Sequence, residues 1–206
     1  MISANCLYFL GASMALTLAP GPDNLFVLTQ GLARGRKPAI VTALGMCCGV
    51  SVHTTAAALG ISALFYSSAL AFNLIKFAGA SYLLFLAWRT IREPSAARLS
   101  KADNRPLSLL FKRGFIMNVL NPKVAMFFLA FLPQFVVANS GPVPVQMFLL
   151  GLIFMIQAAV IFCAIAWFSG GIGRKILAKP RLARWFDWLT AGVFVSLGAR
   201  LALAQK

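Results

Sequence analysis

Six long apolar runs separated by short polar connections make up most of the chain, at about 4–30, 39–65, 71–90, 114–135, 145–169 and 185–204. Each run is far longer than a strand, and none alternates apolar and polar residues as a barrel strand would. A membrane helix takes roughly 20 apolar residues, so the pattern predicts an all-α membrane protein with six transmembrane helices. Residues 1–206 read as a single integral membrane domain. The first and fourth runs are interrupted. "APGPDN" breaks the first at Ala19–Asn24, and "VLNPKV" breaks the fourth at Val119–Val124.

The two interruptions suggest a repeat. Pro22 and Pro122 stand 100 positions apart, which sets Asp23 against Lys123, and "GASYLLFLAW" from Gly79 is faintly echoed by "AGVFVSLGAR" from Ala191. An offset of three spans inverts the second unit relative to the first. The expected organisation is therefore two inverted three-helix repeats with broken first and fourth helices. They cover about 1–92 and 113–206, joined by a basic connection at about 93–112. Inverted repeats with broken helices in matching positions are the pattern of transporters that bind substrate near the midplane.

Charge sharpens this picture. Only 11% of residues are charged, against about 25% in soluble domains, yet the net charge is +15. Of 19 basic residues, 15 fall in the first, third and fifth connections, and none falls in the second or fourth. That is the positive-inside pattern. It places the odd connections in the cytoplasm and both termini outside. The basic excess thus reads as a topology signal and a contact for anionic membrane lipids, not as a nucleic-acid surface. The N-terminus lacks the basic start and small-residue cleavage site of a removable signal. The four cysteines lie in apolar runs without metal or redox spacing, so neither metal nor cofactor is expected.

At the breaks, Pro20, Pro22 and Pro122 remove amide donors and force the helix to kink or unwind. Backbone freed at membrane depth must face protein or water. The half-helix N-termini beyond Pro22 and Pro122 suit an anion. Asp23, read as the one acidic residue at depth, suits an ammonium, and Lys123 suits a carboxylate. Gly21, Asp23, Asn24, Asn121 and Lys123 are therefore the candidate substrate-binding residues for a zwitterion. Competing readings make Asp23 a helix-end charge and let Lys123 snorkel to the surface. His53, the only histidine, reads either as a proton carrier, a role Asp23 also suits, or as an interhelical hydrogen-bond partner. Gly45 and Gly49 form a GxxxG, which fits packing inside one subunit better than a homodimer seam. Gln30, Asn118, Gln134 and Gln157 are further polar groups whose helical phase is not fixed by the pattern.

"PGPDNLFV", "GLARGRKPAIVTALGMCCGV", "NVLNPKVAMFFLAFLPQF" and the "FLPQF" within it resemble the LysE/RhtB family of bacterial amino-acid exporters over essentially the whole chain. The resemblance implies export of small amino acids such as lysine, threonine, homoserine or cysteine-related compounds, driven by proton antiport. It carries the family's motif positions to Pro20, Gly21, Pro22 and Asp23, and to Asn121, Pro122 and Lys123. Two other classes compete. A cation transporter of the wider superfamily would want several carboxylate ligands. An intramembrane enzyme would need a nucleophile with its base, or a metal set, and no motif supplies one.

Cysteine accessibility tests the orientation. In a cysteine-free background, Ser68→Cys and Ser140→Cys should label from the periplasm and Arg98→Cys should not. Labelling at position 98 would reverse the assignment.

Overall fold

The computed structural model describes residues 2–19, 21–61, 69–93, 105–137, 140–169 and 180–203. Among them every regular element is a helix. The helices are α1 (Ile2–Leu18), α2 (Pro22–Arg34), α3 (Arg36–Ala56), α4 (Ala69–Arg92), α5 (Leu107–Val119), α6 (Pro122–Met126), α7 (Val143–Phe168) and α8 (Pro180–Leu203). Helix α3 runs on into a π-helical turn at Ala57–Ile61. Helix α6 continues through a π-helical turn at Phe127–Phe131 and a 3₁₀ turn at Leu132–Phe135. Pro133 explains that distortion, since its ring would clash with the carbonyl four residues back in an α-helix. The Leu132 amide instead reaches the Phe127 carbonyl, five residues back.

Both interruptions fall where the prolines put them. Helix α1 ends at Leu18 and α2 opens with Pro22 in its first turn, behind an extended Gly21. Helix α5 ends at Val119 and α6 opens with Pro122, with Asn121 as its N-cap. Pro20 lies outside the described residues. Gly35, at φ +88°, closes α2 in a conformation that disfavours side chains and turns the chain directly into α3.

Among the described residues, four helices are long and apolar enough to cross a membrane: Arg36–Gly60, Asn73–Arg92, Val143–Phe168 and Arg184–Leu203. Helix α5 and the segment Pro122–Phe135, bent by 44°, make a fifth if taken as one span. Asn5–Leu18 is a shorter apolar helix. Helices α5 and α8 begin earlier than the apolar runs, which brings Lys112, Arg113, Arg181 and Arg184 into helix. The Arg113 guanidinium lies over the Phe26 ring, 4.6 Å from its centroid. Large apolar side chains such as Leu7, Leu59, Leu74, Val160 and Phe168 point outward. A belt of that size suits lipid, not water. All four tryptophans, Trp88, Trp167, Trp185 and Trp188, are exposed near the helix ends beside odd connections.

Asp187 corrects the sequence reading. It is buried within α8, with Thr190 one turn further on, so Asp23 is not the only acid inside a helical span.

Small residues set the tightest helix contacts. A Cβ on Gly45 would run into the Phe111 carbonyl, one on Gly114 into the Thr42 carbonyl, and one on Gly49 would lie 2.9 Å from the Asn118 Cβ. The GxxxG of α3 is thus spent on α5 within the chain. Gly45→Ala and Gly114→Ala should each cost about 1–3 kcal/mol by overpacking. Gly192→Ala, which meets nothing within 4 Å, should be neutral or stabilising. Melting temperatures in detergent, with the oligomeric state followed by size exclusion, check both expectations.

Candidate functional site

The two breaks face each other, and each satisfies the backbone that the other leaves open. Helix α1 ends in carbonyls with no following turn to donate to them. The Lys123 ammonium takes two of these, donating to Leu16 O and Ala19 O at 3.1 Å each. The Asn24 amide donates to a third, Thr17 O, at 2.7 Å. In return, Asp23 in the first turn of α2 accepts from Asn121 Nδ2 at 2.7 Å and from Asn118 Nδ2 at 3.4 Å, both on its Oδ2. Asn121 Oδ1 then accepts from the Lys123 amide at 2.9 Å, capping α6. A cap of this kind is worth about 1 kcal/mol. Gly21 completes the approach, because a Cβ there would come within 3.1 Å of Lys123 Nζ.

The charges are therefore arranged differently from the expected pair. Asp23 and Lys123 form no ion pair. Each sits at the end of a half-helix whose dipole favours it, the carboxylate at the N-terminus of α2 and the ammonium at the C-terminus of α1. Both are buried, at 1% and 6% exposure, so Lys123 does not snorkel to the surface. Fixed partners rather than a mutual salt bridge offset the cost of burial.

That leaves capacity to spare on both sides. Asp23 Oδ1 is buried and unbonded, as are Asn118 Oδ1, Asn24 Oδ1 and Gln157 Oε1. A buried polar atom without a partner costs about 1–3 kcal/mol. Lys123 has three N–H donors and uses two of them. Asp23, Asn118 and Lys123, with Thr17, line one cavity of about 10 Å³. That is room for about a single water. Its remaining walls are Leu16, Val50, Val124, Phe154 and Phe162, all apolar.

Two residues marked only as polar by sequence find their places here. Asn118 bridges Asp23 from α5, and Gln157 of α7 donates to Thr17 Oγ1 at 2.9 Å. Thr17, missed from sequence, is the hub of that side, since its hydroxyl also donates to Ser13 O at 2.9 Å. Gln30 is fully buried on α2, and Gln134 donates back to Ala130 O within its own helix. His53 does not line this cavity. Its Nε2 lies 3.0 Å from Asn118 O, where a carbonyl can only accept, so that nitrogen carries the proton.

The chain is 31% identical to a leucine efflux protein of Klebsiella pneumoniae subsp. pneumoniae over 207 residues, covering 98% of this chain and 96% of the relative. It is likewise 31% identical to leucine efflux proteins of an Enterobacter species, covering 95% and 93% of the two chains, and of Salmonella typhimurium, covering 97% and 94%. No solved structure matches the chain. The LysE type translocator family matches residues 14–205. The chain therefore belongs to the LysE type translocator family, and it is a multi-pass bacterial membrane transporter rather than an enzyme.

Proposed function

We propose that the protein exports small neutral amino acids across the bacterial inner membrane in exchange for protons, binding them where the two breaks meet. One observation carries the reading: an Asp23 carboxylate oxygen and a Lys123 ammonium, each with bonding capacity left, line one cavity. A zwitterion supplies the complement of both. Its ammonium goes to Asp23 Oδ1 with Asn118 Oδ1, and its carboxylate to the Lys123 ammonium. Asn24, Asn121 and Gly21 hold the frame of the closed, empty site. The apolar walls favour an aliphatic side chain, in keeping with relatives named for leucine efflux. A lysine substrate would bring a second ammonium to a single carboxylate.

The packing supports six spans in two inverted repeats, with α1 and α2 taken as the first span and α5 with Pro122–Phe135 as the fourth. The second span packs on the fifth and the third on the sixth, while break meets break. These are the like-on-like contacts that a two-fold axis in the membrane plane requires. The basic odd connections, with tryptophans beside them, support a cytoplasmic odd face and periplasmic termini.

Inverted vesicles loaded with labelled leucine, threonine, homoserine or lysine, with and without a proton gradient, test the reading. Leucine should be carried best and lysine least. Asp23→Asn keeps a hydrogen-bonding side chain but removes a charge-assisted bond worth about 1.5–3 kcal/mol, so transport should fall by roughly 10- to 100-fold. Lys123→Met should also lower the melting temperature, because it orphans two carbonyls of α1. The Asp23→Asn/Lys123→Gln double variant should remain inactive. Recovery of export in that variant would place the site elsewhere.

A further inference from the structure

His53 lines a second cavity on the even-connection side of the breaks. His53, Ala56, Ala57, Ala125, Phe128 and Leu129 enclose about 100 Å³, and among the described residues the imidazole is the only polar side chain in that wall. Ala56 and Leu129 are exposed, so the cavity reaches the edge of the bundle. Ala57 belongs to one π-helical turn, and Phe128 and Leu129 to the other. Two local departures from α-helix thus flank the same opening, and such turns recur at functional sites.

Asn118 joins this cavity to the substrate site. Its carbonyl accepts from His53 Nε2 at 3.0 Å, while its side-chain amide donates to Asp23 Oδ2 at 3.4 Å. With Nε2 committed, Nδ1 is the nitrogen left to take a proton.

We infer that His53 carries the coupling proton, loaded through this lateral cavity and set against the substrate through Asp23. The inference rests on the exchange reading above. Among the described residues, the charged groups facing this region are Asp23 from α2 and Lys123 from α6. Helices α5 and α7 present Asn118 and Gln157, which do not ionise, while Cys47 of α3 and Cys163 of α7 lie towards the opposite end. One carboxylate and one ammonium leave the site neutral, and a zwitterion keeps it so. A proton passing from water to Nδ1 leaves the Nε2–H bond in place and adds one positive charge. Only Asp23 offsets that charge, and the substrate ammonium needs the same carboxylate. Imidazolium and substrate therefore exclude each other, which is the condition for antiport. When substrate takes Asp23, the proton returns from Nδ1 to water. The cavity lies on the even-connection side, which the basic-residue pattern makes periplasmic and hence the source of protons in an energised cell.

Purified protein in liposomes separates the parts. Wild type should exchange leucine for leucine without a gradient and accumulate it when a pH gradient is imposed. His53→Gln retains an N–H for Asn118 O and touches no wall of the substrate cavity. It should keep exchange and lose about 5-fold or more of gradient-driven accumulation, the low end of ordinary coupling between two ligands. Leucine binding should weaken on acidification in wild type by a similar factor and stay flat in His53→Gln. Ala56→Phe fills the lateral cavity while leaving His53 and Asp23 their bonds, and should slow gradient-driven uptake without altering exchange. If His53→Gln does not fold, Ala56→Phe decides, and unaltered gradient-driven uptake overturns the assignment. Wild type that exchanges leucine beside a His53→Gln variant that still accumulates it overturns the His53 role alone. Wild type that exchanges no amino acid overturns the export reading itself.

Discussion

Backbone that leaves a helix at membrane depth has no water to turn to, and the rest of this structure follows from how that debt is met. The first break exposes carbonyls at the end of α1, and the second exposes amides at the start of α6. Lysine is the right donor for several carbonyls at once, because its ammonium carries three protons on a long stem. Asparagine is the right cap, because its oxygen takes an amide while its nitrogen remains for a carboxylate. Lys123, Asn121 and Asp23 are these groups, and each reaches across from one break to the other. Charge therefore enters the membrane as part of backbone repair, and its spare bonding capacity is what the proposed site uses.

Holding those side chains requires helices closer than ordinary side chains permit. The glycines of α3 and α5 supply this, with backbone set against backbone at Gly45 and Gly114. The same seam delivers His53 to the Asn118 carbonyl and Asn118 to Asp23. Aromatic rings fill the far side: Phe154, a wall of the site, packs on Phe127 and Phe128, and Phe127 continues to Phe9 and Phe131. The polar site is thereby embedded in a rigid apolar mass on its even-connection side.

The position of each break was legible because proline acts locally, whatever packs around it. The alternation of basic connections was legible for the same reason, since each connection is read by itself. What escaped depends on phase. A register of 100 residues set Asp23 opposite Lys123, yet after a break the helix axis bends and register no longer tells which side chain meets which. Asp23 meets Asn121 instead, and Lys123 meets carbonyls 104 and 107 positions away. Thr17 was invisible because a threonine in an apolar helix ordinarily bonds its own preceding turn, as its hydroxyl does here. Asp187 stands near the start of the sixth run, three residues after the basic Arg184, where the pattern does not fix its depth. Its spacing of three from Thr190 was the signal that both face inward.

The volume of the site completes the physical picture. On the proposed reading the breaks part before substrate is held between them, because a cavity of about 10 Å³ is far below what an amino acid occupies. Parting removes the Lys123 bonds to α1 and the Asn121 bond to Asp23. A zwitterion returns an acceptor to the lysine and a donor to the carboxylate. Without it, a buried ammonium and a buried carboxylate would be stranded, each at a cost of kilocalories. On that reading the empty site closes on itself and cargo compensates both charges of the open one, so the site resists opening without cargo. Such resistance keeps a pathway across an energised membrane from becoming a leak, and it arises here from the same few side chains that repair the broken helices.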